Sequence, residues 1–82
     1  MRLDKYLKVS RIIKRRTIAN DACDAGRVSL NGKVAKPAHD VKVGDIIEIR
    51  FGSNLTRAEI LSVNERATKN DSQGMFRILE EI

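Results

Sequence analysis

Residues 14–34, "KRRTIANDACDAGRVSLNGKV", hold a helix, its stop and a hairpin in one run. At about 100° per residue, Ile18, Ala19, Ala22, Cys23 and Ala25 share one arc. Thr17, Asn20, Asp21 and Asp24 share the other, so the pattern predicts an amphipathic helix over residues 14–26. Gly26 stands where a helix commonly closes on a left-handed residue. Val28 and Leu30 then alternate with polar neighbours, and Asn31-Gly32 is the pair a two-residue type I′ hairpin turn prefers.

Working outward, "RLDKYLKVS" (residues 2–10) places Leu3, Tyr6 and Leu7 at i, i+3 and i+4, the stripe of a short first helix. Asp4 and Lys8 are four apart and are expected to pair across a turn, with Ser10 ending the element. The small apolar residues of the second helix let this first helix approach closely. Downstream, "VKVGDIIEIRF" (41–51) predicts a turn at Lys42–Asp45 and a strand over Ile46–Phe51. "LTRAEILSV" (55–63) predicts another strand, residues 64–74 a polar, mobile loop, and "MFRILEE" (75–81) a return to the sheet edge. The expected fold class is α+β: a two-helix N-terminal layer packed on a small, mostly antiparallel sheet.

The chain has 82 residues and a net charge of +5. Residues 1–16 hold seven cations against the single acid Asp4, a net +6, so residues 17–82 sum to −1. Such asymmetry points to an anionic partner docking at one end, nucleic acid in particular, against the blander reading of a solvated basic face. Lys14, Arg15 and Arg16 crowd the start of the second helix, and Asp21 and Asp24 lie toward its end. That order opposes the helix dipole, and it makes sense if free amides and arginines together hold a phosphate. On the same argument, removing Arg16 should cost no stability.

Catalytic chemistry is not visible in the sequence. His39 is the only histidine and Cys23 the only cysteine, which leaves no triad, no structural zinc set and no intrachain disulfide. Cys23 falls on the apolar arc and is expected to be a small buried hydrophobe. No cofactor and no metal are expected. There is no signal peptide and no apolar run of membrane-spanning length, so the expectation is a soluble, cytoplasmic protein with no membrane partner. Tyr6, Phe51 and Phe76 are the only aromatics, and each fits a core pattern. Without exposed stacking platforms, structured RNA or duplex suits the chain better than unpaired bases.

The sequence resembles the S4 RNA-binding domain. The matching marks are R-L-D at Arg2–Asp4, S-R at Ser10–Arg11, an R-x-x-A helix at Arg16–Ala19 closed by Gly26, V-x-L-N-G at Val28–Gly32 and V-x-x-G-D at Val41–Asp45. The resemblance covers residues 1–52, with 53–82 expected to complete the same domain as a strand, a polar loop and a tail. It implies two helices on a bent sheet (the αL motif) whose basic face contacts structured RNA through Arg2, Lys5, Ser10, Arg11, Lys14, Arg15 and Arg16, with Lys33 at the hairpin tip a weaker addition. The family's second helix commonly starts with Ser or Thr, where this chain has Lys14-Arg15.

The chain is almost nothing but this module. Its resemblance to stand-alone members implies no enzyme activity, and binding to the large ribosomal subunit through ribosomal RNA and a stalled peptidyl-tRNA. The implied setting is ribosome-associated quality control, where a partner of the RqcH type extends the nascent chain with alanine, and the protein is expected to be a monomer off the ribosome. Two other readings compete: the RNA-binding part of an RNA-modifying enzyme, for which a chain of this length leaves no catalytic domain, and a DNA-binding helix-turn-helix. Against the latter, the Ser10–Ile13 connection lacks a turn glycine and the cations precede the second helix.

Overall fold

Asn31 and Gly32 adopt φ of 52° and 86°, the left-handed pair that a type I′ turn requires. They fold β1 (Val28–Leu30) back on β2 (Lys33–Val34). The same asparagine locks the turn to the start of β3 (Ile46–Phe51): its Oδ1 accepts from the Ile46 amide at 2.9 Å, and its Nδ2 donates to Asp45 Oδ1 at 3.1 Å. The computed structural model describes all of residues 1–82. β4 (Asn54–Ile60) and β5 (Phe76–Glu81) complete a five-stranded sheet in the order β2-β1-β3-β4-β5, antiparallel throughout. Opposed pairs Val28–Ile49 and Leu30–Ile47 place four apolar side chains on the covered face.

Two helices cover that face, α1 (Leu3–Val9) and α2 (Arg16–Asp24), so the fold is the α+β arrangement expected from the sequence. Leu3, Tyr6 and Leu7 of α1 and Ala19, Ala22 and Cys23 of α2 are buried in one core with the sheet residues. The Tyr6 hydroxyl donates to the Met75 carbonyl at 2.7 Å, pinning α1 to the chain just before β5. Backbone carbonyls of Pro37 and His39 accept from the amides of Asp4 and Leu3, and Arg2 bridges to Asp40, so α1 begins on backbone partners instead of a side-chain cap. α2 closes in a Schellman motif: Gly26, at φ 75°, donates to Cys23 O and Arg27 to Ala22 O, each at 3.0 Å.

Several expectations are corrected. α2 starts at Arg16, not Lys14, because Arg15 is extended (φ −123°, ψ 136°) and the preceding connection is drawn onto α1, where Ile13 N–H donates to Leu7 O. Ile18 and Ala25 lie roughly 100° around the helix from the centre of its buried stripe and remain exposed. Val34 is exposed on a two-residue edge strand, and Phe51, 40% exposed, sits where β3 runs past the core into its turn with β4. One exposed aromatic therefore exists, beside Ile18 and Arg27. Residues 64–74 contain a helical turn, α3 (Lys69–Ser72), opened by a capping box between Thr68 and Asp71. No helix is long and apolar enough to cross a membrane, and no group of three or more His, Cys, Asp or Glu side chains is placed to hold a metal.

Candidate nucleic-acid interface

Asp4 joins the two helices. Its side chain is 3% exposed, and it faces α2 instead of pairing with Lys8 as the four-residue spacing predicts. Oδ1 accepts from the Lys5 amide at 2.8 Å and from Arg2 Nε at 3.2 Å. Oδ2 accepts from Arg2 Nη2 and from Asn20 Nδ2, both at 3.2 Å, and lies 3.5 Å from Arg16 Nε. Burial alone would raise the Asp4 pKa, but the Asn20 amide, the Lys5 N–H and the Arg16 guanidinium outweigh it and hold the carboxyl below its ordinary value. A buried carboxylate thus fixes two guanidiniums side by side while each remains about half exposed, Arg2 at 50% and Arg16 at 46%. No protein group accepts from the Nη atoms of Arg16, so its fork is left for an incoming phosphate.

The start of α2 lies at this pair. Arg15 provides no side-chain cap, and the amides of Arg16, Thr17 and Ile18 have no protein acceptor. Free amides, a positive dipole end and the Arg16 guanidinium converge there, the combination that suits an oxyanion. The dipole argument on Arg16 is nevertheless corrected: its ion pair to buried Asp4 gives the side chain a structural share as well.

A second cationic group lies at the other end of α1. Lys8, Arg11 and Lys14 line a cavity of ≈ 340 Å³ with Val9 and Ala67. Arg11 holds φ 64° directly after the Ser10 C-cap, and its N–H donates to Lys8 O at 3.0 Å, the position glycine fills at the end of α2. A non-glycine residue held there costs roughly 1–2 kcal/mol. Lys5, between the two groups, lies 3.5 Å from Glu65.

Two proposed contacts are not brought to this face. Ser10 is buried, its hydroxyl 3.3 Å from Leu7 O, because the connection folds back under α1; it shapes the turn and presents no side chain outward. Lys33 is exposed, but its neighbour Val34 lies by Gly26, beyond the far end of α2 and about 13 Å of helix from Arg16. Arg2, Lys5, Arg11, Lys14, Arg15 and Arg16 do gather around α1 and the start of α2. Sequence reasoning missed Asp4 and Asn20 as organisers and Lys8 as a cavity-lining cation. A lone acid in a run of seven bases was the available signal.

Residues 1–47 match the family model described as the S4 domain. The chain belongs to the S4 domain family. Among curated S4 relatives, the RQC P-site tRNA stabilizing factor of Streptococcus pneumoniae is 52% identical over 81 residues, covering 99% of this chain and 92% of its own length. The protein of the same name from Bacillus subtilis is 47% identical over 81 residues, covering 99% and 94%. Among solved structures, the trimeric Heat Shock Protein 15 of Vibrio cholerae aligns with a TM-score of 0.86 at 32% identity, covering 95% of this chain and 80% of that one. The S4 match ends in β3, so β4, α3 and β5 lie outside it.

Proposed function

We propose that this protein is a non-catalytic binder of structured RNA that acts on the large ribosomal subunit in ribosome-associated quality control. Its contacts are ribosomal RNA and the peptidyl-tRNA of a stalled chain. The observation that carries the reading is the Asp4-organised pair Arg2 and Arg16 at the open amides of α2, in a chain aligned almost end to end with relatives named for stabilising P-site tRNA. Two half-exposed guanidiniums and a helix N-terminus suit backbone phosphates of a folded RNA and give no means of bond-making. Lys5, Arg11, Lys14 and Arg15 extend the contact, and Lys33 contributes only if the RNA reaches the hairpin.

In the finer form of this reading, the protein is a cytoplasmic monomer off the ribosome, and it holds the tRNA while a partner of the RqcH type adds alanine to the nascent chain. Residues 1–52 make the RNA contacts, and 53–82 complete the domain beneath them. Sedimentation of tagged protein from a lysate tests the core of this. Co-migration with large subunits carrying peptidyl-tRNA is the expected result, and a peak confined to the free fractions in low salt would refute it.

A further inference from the structure

The five-stranded sheet ends in two unlike edges. β2 is two residues long and stops before Pro37, which leaves little backbone for another strand. β5 is six residues long, and every residue from Arg77 to Glu81 is exposed. Its inner side is occupied at both ends: Met75 O accepts from the Leu61 and Ser62 amides, and Ile82 exchanges two hydrogen bonds with Leu55. Alternation from those fixed points turns the N–H and C=O groups of Phe76, Ile78 and Glu81 away from β4, with Leu79 the extra residue of a bulge. The neighbouring strand agrees, since Ile60, opposite Phe76, donates its N–H to Asp45 O on the β3 side. No strand lies beyond β5.

The side chains along this edge give its occupant a chemistry. Ile78 and Leu79 are 43% and 44% exposed. Arg57 is ion-paired to Glu48 and Arg77 to Glu59, so the cations beside β5 are already held. Glu80 and Glu81 have no ion-pair partner. In a chain of net charge +5, the longer open edge thus carries uncompensated negative charge next to apolar surface. We infer that β5 is a docking edge for an extended cationic segment of a protein partner, which adds a further strand antiparallel to β5. The segment's backbone pairs with Phe76, Ile78 and Glu81, its apolar side chains cover Ile78 and Leu79, and Lys or Arg near its start meet Glu80 and Glu81. A second copy of this chain fits less well: it brings another +5, and its β5 offers one arginine already held by Glu59. β5 lies outside the residues that match the S4 model and carries none of the cations of residues 1–16. The inference therefore goes beyond the RNA-binding reading and does not depend on it. A rival account is that Glu80, Glu81 and the bulge serve only to keep the edge free of any strand.

The test uses the full chain, labelled for NMR, and a short capped peptide of alternating Lys and Val as the probe. Slowed hydrogen exchange at the Phe76, Ile78 and Glu81 amides on adding the peptide is the expected result. A peptide of alternating Glu and Val, or the Lys–Val peptide N-methylated along its pairing edge, should bind about tenfold or more weakly. Glu80→Gln with Glu81→Gln should weaken the Lys–Val peptide about threefold, the scale of two exposed charge pairs. Ile78→Pro removes an N–H that β4 does not use, so it should melt near the parent and lose the peptide. Should that variant fold poorly, the N-methylated peptide asks the same question from the partner's side. No protection of these amides at about 1 mM Lys–Val peptide would overturn the inference in favour of the rival account. Equal binding of the Glu–Val peptide would overturn the cationic partner. Self-association of the protein alone, followed by sedimentation equilibrium and abolished by Ile78→Pro, would make the occupant a second copy instead. No RNA enters the assay, so failure here leaves the RNA-binding reading standing, and the reverse.

Discussion

At Asp4, one carboxylate accepts from the Arg2 side chain and the Lys5 backbone amide at its own helix end and from the Asn20 side chain of the neighbouring helix, with a second guanidinium, that of Arg16, at ion-pair distance to settle the group's charge. Asp4→Asn keeps the shape but removes the charge, and should cost roughly 1–3 kcal/mol, toward the low end because both arginines are about half exposed and screened by water. A urea melt measures this. The pH dependence follows from the lowered folded-state pKa: the Asp4 contribution is fully present above the ordinary carboxyl value of 3.8, which the group regains on unfolding, and is lost as pH falls from there through its lower folded value. The acid limb of the Asp4→Asn stability curve should therefore be flatter than the parent's. Arg16→Ala should weaken RNA binding by about 1.5–3 kcal/mol and also lower stability by up to about 1 kcal/mol. Arg16→Lys should recover only part of the binding, since an ammonium lacks the fork.

At the scale of elements, α1 is held at three places by partners far away in the chain: carbonyls of residues 37–39 at its start, Asn20 of α2 across Asp4, and Met75 O on the Tyr6 hydroxyl. Tyr6→Phe removes one donor from the Met75 carbonyl, which still accepts from the Leu61 and Ser62 amides, and should cost about 0.5–1.5 kcal/mol, with RNA affinity at saturating folded protein unchanged. A loss of affinity in a folded Tyr6→Phe variant would mean that this anchor also sets the angle of α1 toward the RNA. Cys23 belongs to α2's buried stripe; burial, then Asp4 and Asp24, push its thiol up to about 11. Cys23→Ala should thus be inert toward RNA and cost at most about 1–2 kcal/mol in a denaturant melt.

For the whole molecule, the charge excess at residues 1–16 becomes one face because α1 and the start of α2 are packed side by side. If about four phosphates are neutralised there, log affinity should fall against log salt with a slope of roughly −3. A salt titration that stayed flat would leave the face a bystander. The helix stripe of α1, the Asn31-Gly32 turn, the Gly26 stop and the strand over Ile46–Phe51 were all legible in the sequence. Each depends on neighbours a few residues apart, where periodicity and turn stereochemistry act directly. The same is true of the location of the cations. What tertiary structure alone decided is how those cations differ: Arg2 and Arg16 clamped on a buried acid, Ser10 withdrawn, Lys33 carried to the far end of α2, and Lys8, Arg11 and Lys14 turned around one cavity. Those outcomes depend on which faces of two helices meet, and on residues brought together from 16 positions apart, as for Asp4 and Asn20, to 59 apart, as for Lys8 and Ala67. Local spacing carries no record of that, because a carboxylate's partners are set by how the two helices pack against each other.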